Sequence, residues 1–429
     1  MSEELLTGEI KQQLVGVGPV DIVVGIPSYN NVRTIGNVVQ AAQVGLLKYF
    51  PDRRALIVNS DGGSKDGTRQ AVEQANIDSQ SVLLLQHPLY PVHRLTTPYH
   101  GIPGKGSAFR TIFRIVEEVQ ASACAVVDSD LRSITPGWID LLLRPVFDRE
   151  FDYVAPYYKR HKYDGTITNS TVYPLTRALY GKRVRQPIGG EFGMSTRLAS
   201  HFLSRDVWNT EVAGYGIDIW MTTTAIAEGF RVCQSYLGAK IHDAKDPGAD
   251  LSTMLVQVVG SVFRLMEDYA AVWPKVATSE AVPLFGFPFE VGLEPVPINI
   301  ARMIESLRQG CRDLLPIYER FVAAERFGAL TACAALPDDQ FNLPDDLWAN
   351  LVYDFALAHH RRTLDRGHLV RSLTPIYLGW VASFAIQTTN ETAAQVEDRI
   401  ERLCLVYEQL KPRLITDWGL GTGEKRSEP

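Results

Sequence analysis

Short apolar runs alternate with amphipathic stretches along the first half of the chain. Asp21 to Ile26 is an apolar run followed by Pro27-Ser28-Tyr29-Asn30. Helical periodicity then extends from about Val32 to Tyr49. Ala55 to Val58 reads as a second strand, ending in Asn59-Ser60-Asp61-Gly62-Gly63-Ser64, with a helix from about Lys65. Ser81 to Leu85 predicts a third strand, and Ala123 to Val127 a fourth that ends in Asp128-Ser129-Asp130. Continuous apolar strands spaced by helices imply an α/β fold with a parallel sheet covered on both faces. Such sheets bind ligands beyond the carboxyl ends of their strands. The three polar clusters fall at those ends.

From about Leu251 the pattern becomes helical. Leu251 to Val272, Ile298 to Ala323, Asp346 to His360 and Ala393 to Lys411 read as helices, broken by the Pro-rich stretches Pro283 to Pro297 and Pro337 to Pro344. His359-His360-Arg361-Arg362 suits a solvated helix end, where basic residues oppose the dipole. The polar residues after about Trp418 read as a tail. The expected division is 1–18, an N-terminal segment; 19–265, the α/β domain; 266–415, a helical region; and 416–429, the tail.

Composition narrows the function classes. The 429 residues are 45% hydrophobic and 21% charged, as in a globular protein with ordinary cores. A net charge of -6 offers no basic surface for nucleic acid. Cys124, Cys233, Cys311, Cys333 and Cys404 are scattered, with no CxxC pair, which argues against a disulfide framework or zinc site and for a reducing compartment. No apolar run reaches the roughly 18 residues of a membrane span. Met1 to Gly8 carries acids and no apolar core, unlike a signal peptide. A cytoplasmic location is expected. An amphipathic helical region also needs somewhere to bury its faces, so a homodimer is expected.

The candidate chemistry centres on Asp128 and Asp130. In extended chain, alternate side chains share a side, so both carboxylates point the same way. Two carboxylates at a strand end are hard oxygen ligands for Mg²⁺ or Mn²⁺, which fill their remaining positions with substrate phosphate oxygens. Asp and Ser also serve as caps and turns. Gly101-Ile102-Pro103-Gly104-Lys105-Gly106 precedes a helix, where glycines let backbone approach a ligand and the helix start offers free N–H groups to an anion. It matches neither the Walker A spacing nor the dinucleotide fingerprint. A diphosphate-bearing substrate suits both features.

Pro27 to Asn30, Ser60 to Thr68, Pro103 to Gly106 and Asp128-Ser129-Asp130 occur in the order seen in GT-A glycosyltransferases. More narrowly, the chain resembles glucosyl-3-phosphoglycerate synthases and the related glucosylglycerate synthases over roughly Val20 to Met266. The supporting stretches are Asp164 to Asn169, Gln186 to Phe192, Gly214 to Ile219 and Gly238 to Asp243. The resemblance implies a GT-A fold, a Rossmann-like mostly parallel sheet, with a mostly helical C-terminal region. It implies a retaining hexosyltransferase in compatible-solute synthesis, using a nucleotide-sugar donor, such as UDP- or GDP-glucose, and a small hydroxy-acid acceptor.

The same resemblance implies the roles of individual residues. Pro27, Tyr29, Asn30, Ser60 and Asp61 would line the donor's base and ribose, although an acid usually stands where Asn30 stands. Gly104, Lys105, Asp128 and Ser129 would complete the donor site. Asp130, His242 and Asp128 would serve the metal, and Asp130, Asp218 and Lys105 the chemistry. Gly165, Thr166, Thr168 and Asp218 would meet the acceptor. The phosphoglycerate enzymes carry an arginine where this chain has Thr166, and an arginine suits bidentate capture of phosphate. Threonine there favours free D-glycerate, although Arg160, Lys162 and Lys182 lie nearby in sequence and could supply charge. Glucosyl-3-phosphoglycerate or mannosylglycerate synthesis, a nucleotide-sugar-binding protein with an inactive site, and a nucleotidyltransferase are the alternatives.

Overall fold

The computed structural model describes residues 5–75, 92–98, 104–242, 252–288 and 292–420. The chain forms two compact units, each assembled from separate segments. The first comprises Met1–His161, Val184–Ala244 and Val282–Pro295; the second comprises Lys162–Arg183, Lys245–Ala281 and Val296–Pro429. The units are discontinuous, unlike the expected division at residue 265. Segments 162–183 and 252–281 pack with the helical region.

Ten strands are described: β1 Ile22–Ser28, β2 Ala55–Asp61, β3 Val92–Pro98, β4 Ala123–Val126, β5 Tyr153–Lys159, β6 Lys182–Arg183, β7 Phe192–Ser195, β8 Val232–Ala239, β9 Glu280–Ala281 and β10 Leu284–Phe285. The first unit is built on an eight-stranded sheet of order β10-β8-β5-β7-β4-β1-β2-β3. Only β7 runs antiparallel to its neighbours. This is the mostly parallel α/β sheet the apolar runs implied. Ile22, Val24 and Ile26 pack with the helices Ile35–Tyr49 and Pro136–Arg149 in one core. A Cβ on Gly25, between them, would meet Ile112 of the helix Lys105–Glu118 at 2.6 Å. The alternation thus covers both sheet faces with helix, which is why these strands carry no polar stripe.

Three expected strands are present, β1, β2 and β4. The expected strand Ser81 to Leu85 lies outside the described residues. β3 and β5 to β10 go beyond the strands the sequence predicts. Parallel registers place Pro27 beside Ser60 and Ser28 beside Asp61, and Gly25 beside Val126. The polar ends of β1, β2 and β4 therefore share one edge.

The second unit is mainly helical, with a small pairing of β6 and β9. Helices Ile300–Asp313 and Thr374–Thr388 approach closely, since a Cβ on Gly310 would lie 2.4 Å from Pro375 and one on Gly379 2.6 Å from Leu307. Helix Ala393–Trp418 packs on Tyr173–Tyr180 and Asp345–His360. Among the described residues, the stretch Arg366–Thr388 is long and apolar enough to cross a membrane, and 78% of its apolar window is buried within the protein. Arg366, His368 and Arg371 interrupt the start of this stretch, so in the sequence it is not a continuous apolar run.

Candidate functional site

Five elements deliver charged side chains to the carboxyl edge of the sheet. Asp128 lies two residues beyond β4, and Lys240 follows β8 directly. Lys105 is the first residue of helix Lys105–Glu118, and Asp218 lies in the first turn of helix Ile217–Ala227. Glu191 immediately precedes β7. Because β7 is antiparallel to β4, with Val126 beside Phe192, its start lies where β4 ends. A strand running against its neighbours thus brings Gly190 and Glu191 to the same edge as Asp128.

The side chains form one ion network. Lys105 Nζ lies 2.8 Å from Asp128 Oδ1 and 3.1 Å from Asp218 Oδ1. Lys240 Nζ donates to Asp128 Oδ2 at 2.9 Å, to Glu191 Oε1 at 2.8 Å and to the Gly189 carbonyl at 2.7 Å. The Tyr158 hydroxyl donates to Glu191 Oε2. Burial alone would push the Asp128 carboxyl up, but the ammonium groups of Lys105 and Lys240 outweigh it and hold it well below the usual carboxylate range. Burial dominates at Asp218 and at Glu191, and both are pushed up. Burial would lower both lysines, but Asp128 with Asp218 raises Lys105, and Asp128 with Glu191 raises Lys240.

Asp130 and His242 stand beside this network on neighbouring segments. Arg132 N donates to the Ile241 carbonyl at 2.9 Å, and Ile241 N to Ser133 Oγ at 2.9 Å. Both residues are half-buried. Among the described residues the Asp130 carboxylate accepts no hydrogen bond, whereas both Asp128 oxygens are held by lysines. Among the described residues no three His, Cys, Asp or Glu side chains gather as a metal cluster. The expected trio of Asp128, Asp130 and His242 is therefore not assembled as one. Asp130 and His242 each offer a donor, an oxygen and a nitrogen, of the kinds a divalent ion accepts. Asp128, facing two ammonium groups, fits that role poorly.

The expected donor residues divide by environment. Tyr29 is 63% exposed. Asn30 has φ 54°, and its side-chain oxygen accepts from Lys65 N at 3.0 Å. Pro27 and Ser60 are buried side by side in β1 and β2. Asp61 is buried and saturated, accepting from the amides of Gly63 and Ser64 at 3.0 Å, from Ser28 and Ser64 hydroxyls, and from Arg69 Nε at 2.8 Å. It folds the Ser60–Ser64 turn and has little capacity left for a ribose. Ser129 is buried, and its hydroxyl donates to Asn31 Oδ1 at 2.8 Å. Gly104 allows close backbone packing: its Cβ would lie 2.3 Å from the Ala213 carbonyl oxygen. That approach to the 212–214 loop, rather than to a ligand, explains the glycine.

The acceptor candidates Gly165, Thr166 and Thr168 lie in the second unit. Thr166 is fully buried, with its hydroxyl 2.5 Å from the Tyr377 hydroxyl, and Thr168 is buried too. Gly165 adopts φ +69°, and its carbonyl accepts from Asn169 N at 2.9 Å. Lys162 caps a helix end through the Thr388 and Thr389 carbonyls, and Lys182 pairs with Glu280. Arg160 lies over the Tyr158 ring, 5.4 Å from its centroid, the same ring that Lys240 approaches.

Sequence reasoning missed Glu191, Lys240 and Tyr158. Glu191 and Lys240 fall within the stretches Gln186 to Phe192 and Gly238 to Asp243, but a lone lysine or glutamate carries no spacing signal.

A family model described as "Mannosylglycerate synthase, GT domain" matches residues 56–263. The match bears out the reading of the chain as a glycosyltransferase. No curated protein sequence is significantly similar to the chain. Similar solved structures include glucosyl-3-phosphoglycerate synthase from Mycobacterium tuberculosis in complex with phosphoglyceric acid, at 19% identity and TM-score 0.43, covering 62% of this chain and 85% of that one. The same enzyme with Mn²⁺, UDP and glucosyl-3-phosphoglycerate is similar at 19% identity and TM-score 0.43, over 63% and 86% of the two chains.

Proposed function

We propose that the chain is a divalent-metal-dependent, retaining transferase that moves a hexose, glucose in the first instance, from a nucleotide sugar to D-glycerate. The observation that carries this reading is the charged network at the carboxyl edge, with Lys105 at a helix start and, among the described residues, an Asp130 carboxylate that accepts no hydrogen bond. Asp130 and His242 would hold Mg²⁺ or Mn²⁺. When bound, the ion offsets charge on a departing nucleoside diphosphate. Lys105 exchanges its carboxylate partners for the donor's diphosphate and stabilises the leaving oxygens. Asp218, pushed up by burial, orients a hydroxyl of the sugar or acceptor once Lys105 has turned to the diphosphate. Retention then proceeds by front-face attack, with a diphosphate oxygen receiving the acceptor proton.

Arg160 supports an acidic acceptor, because its guanidinium lies 5.4 Å from the ring of Tyr158, whose hydroxyl meets Glu191 of the network. The commitment of Lys162 and Lys182 to other partners favours a carboxylate without a phosphate. Mannose transfer is the second reading, favoured by the family description of the 56–263 match. The deciding experiment measures nucleoside diphosphate release from UDP- and GDP-linked glucose and mannose, each with D-glycerate or 3-phosphoglycerate. Turnover with 3-phosphoglycerate alone would overturn the acceptor assignment.

A further inference from the structure

We propose that Glu191 and Lys240 form a buried positioning pair that sets the orientation of the Asp128 carboxylate; the inference rests on the transferase reading above. The donor inventory of Lys240 carries it. An ammonium has three hydrogens. Those of Lys240 meet Asp128 Oδ2 at 2.9 Å, Gly189 O at 2.7 Å and Glu191 Oε1 at 2.8 Å. None is left for a ligand, and the side chain is only 5% exposed. Lys240 therefore acts on Asp128 and not on substrate.

Glu191 fixes Lys240 in turn. Its side chain is fully buried, and its second oxygen accepts the Tyr158 hydroxyl. The Lys240 ammonium also sits 5.6 Å from the Tyr158 ring centroid. Gly190 completes the arrangement, since at φ +96° a Cβ there would fall 2.1 Å from Asp128 Oδ2 and 2.7 Å from Lys240 Nζ. The consequence concerns donor entry. Lys105 holds the other Asp128 oxygen and also Asp218. When a diphosphate draws Lys105 away, Asp128 keeps its Lys240 anchor and does not swing.

The test uses the full chain and UDP-glucose or GDP-mannose as donor. Lys240→Met should lower kcat about 100-fold, the scale of a roughly 1 Å misplacement, with less than a threefold change in donor KM. Lys240→Arg should restore part of kcat. Glu191→Gln combined with Lys240→Met should be no worse than Lys240→Met alone, because a residue acting through another is not additive. Additive losses, or losses fully explained by a lower folded fraction, would overturn the proposal. Tyr158→Phe, which removes one hydroxyl, provides a mild variant should the others fold poorly and should lower kcat in the same direction. A crystal structure of Lys240→Met reads the pair without any turnover. Asp128 should rotate away from the Gly190 side, and an unmoved carboxylate would overturn the inference. A wild-type chain silent with every donor would count against the transferase reading alone, since the crystal structure still tests the pair.

Discussion

Replacing Gly190 with alanine tests the network at its tightest point. The backbone there has φ +96°, and an added Cβ would stand 2.1 Å from Asp128 Oδ2. Ordinary contact begins near 3.4 Å, so the carboxylate must retreat by about 1.3 Å, and a misplacement of about 1 Å can cost about 100-fold in rate. That corresponds to ~2.7 kcal/mol of transition-state stabilisation. Backbone strain adds ~1–2 kcal/mol to the folded state. Gly229→Ala separates the two effects: φ there is +78°, but no atom lies within 4 Å of the added Cβ. Both variants should lose stability, by about 3 °C in Tm per kcal/mol. Only Gly190→Ala should lose kcat/KM about 100-fold in a nucleoside diphosphate release assay under conditions where both are folded. Equal activity in the two variants would refute the claim that the position of Asp128 matters to the reaction.

Three further outcomes follow from other contacts. Thr166→Val leaves the buried Tyr377 hydroxyl unpaired and should cost ~1–2 kcal/mol in denaturant unfolding; a rise of more than threefold in acceptor KM would show that Thr166 touches substrate after all. Burial pushes the Lys411 ammonium from 10.5 down to about 8, with Glu408 opposing. The unfolded chain then holds more protons than the folded one between those values, so this group's contribution to stability should rise as pH climbs through that window. Unfolding midpoints of wild type and Lys411→Met at pH values near 7.5 and 9.5 should diverge, and a constant difference would contradict the shift. Titrating Mn²⁺ into Asp130→Asn should raise the metal concentration for half-maximal rate at least tenfold, while Asp128→Asn should lower kcat without moving it; the reverse pattern would exchange their roles.

The parts of the fold legible in the sequence are those buried on both faces. β1, β2 and β4 are continuous apolar runs, and their polar ends align because parallel registers place Pro27 against Ser60 and Gly25 against Val126. β3 escaped because it is an edge strand whose His93, Arg94 and Thr96 are only half-buried. β5 contains Pro156, which argues against a central strand, although the tertiary pairing accommodates it. Helix Ile298 to Ala323 divides at Leu314, ahead of Pro316, as the proline predicts. Helix Ala393–Trp418 instead continues through Pro412, because packing along its length overrides one lost hydrogen bond. In the site, Asp128, Lys105 and Asp218 were legible from motifs and do converge. Their partners were not, because Lys240 and Glu191 meet them only through the sheet order that brings the end of β8 and the start of the antiparallel β7 to the edge where β4 ends. Thr166 looked chemical from its neighbours in sequence and is a core hydroxyl in the fold.

The central claim is most directly tested by nucleoside diphosphate release with Mg²⁺ or Mn²⁺, D-glycerate, and UDP- or GDP-linked glucose, comparing wild type with Asp130→Ala. Turnover by wild type that is abolished by EDTA, and at least 100-fold lower in a folded Asp130→Ala, is the predicted result. Release unaffected by either EDTA or the substitution would contradict the metal-dependent mechanism, and no release with any donor–acceptor pair would contradict the proposed transferase activity.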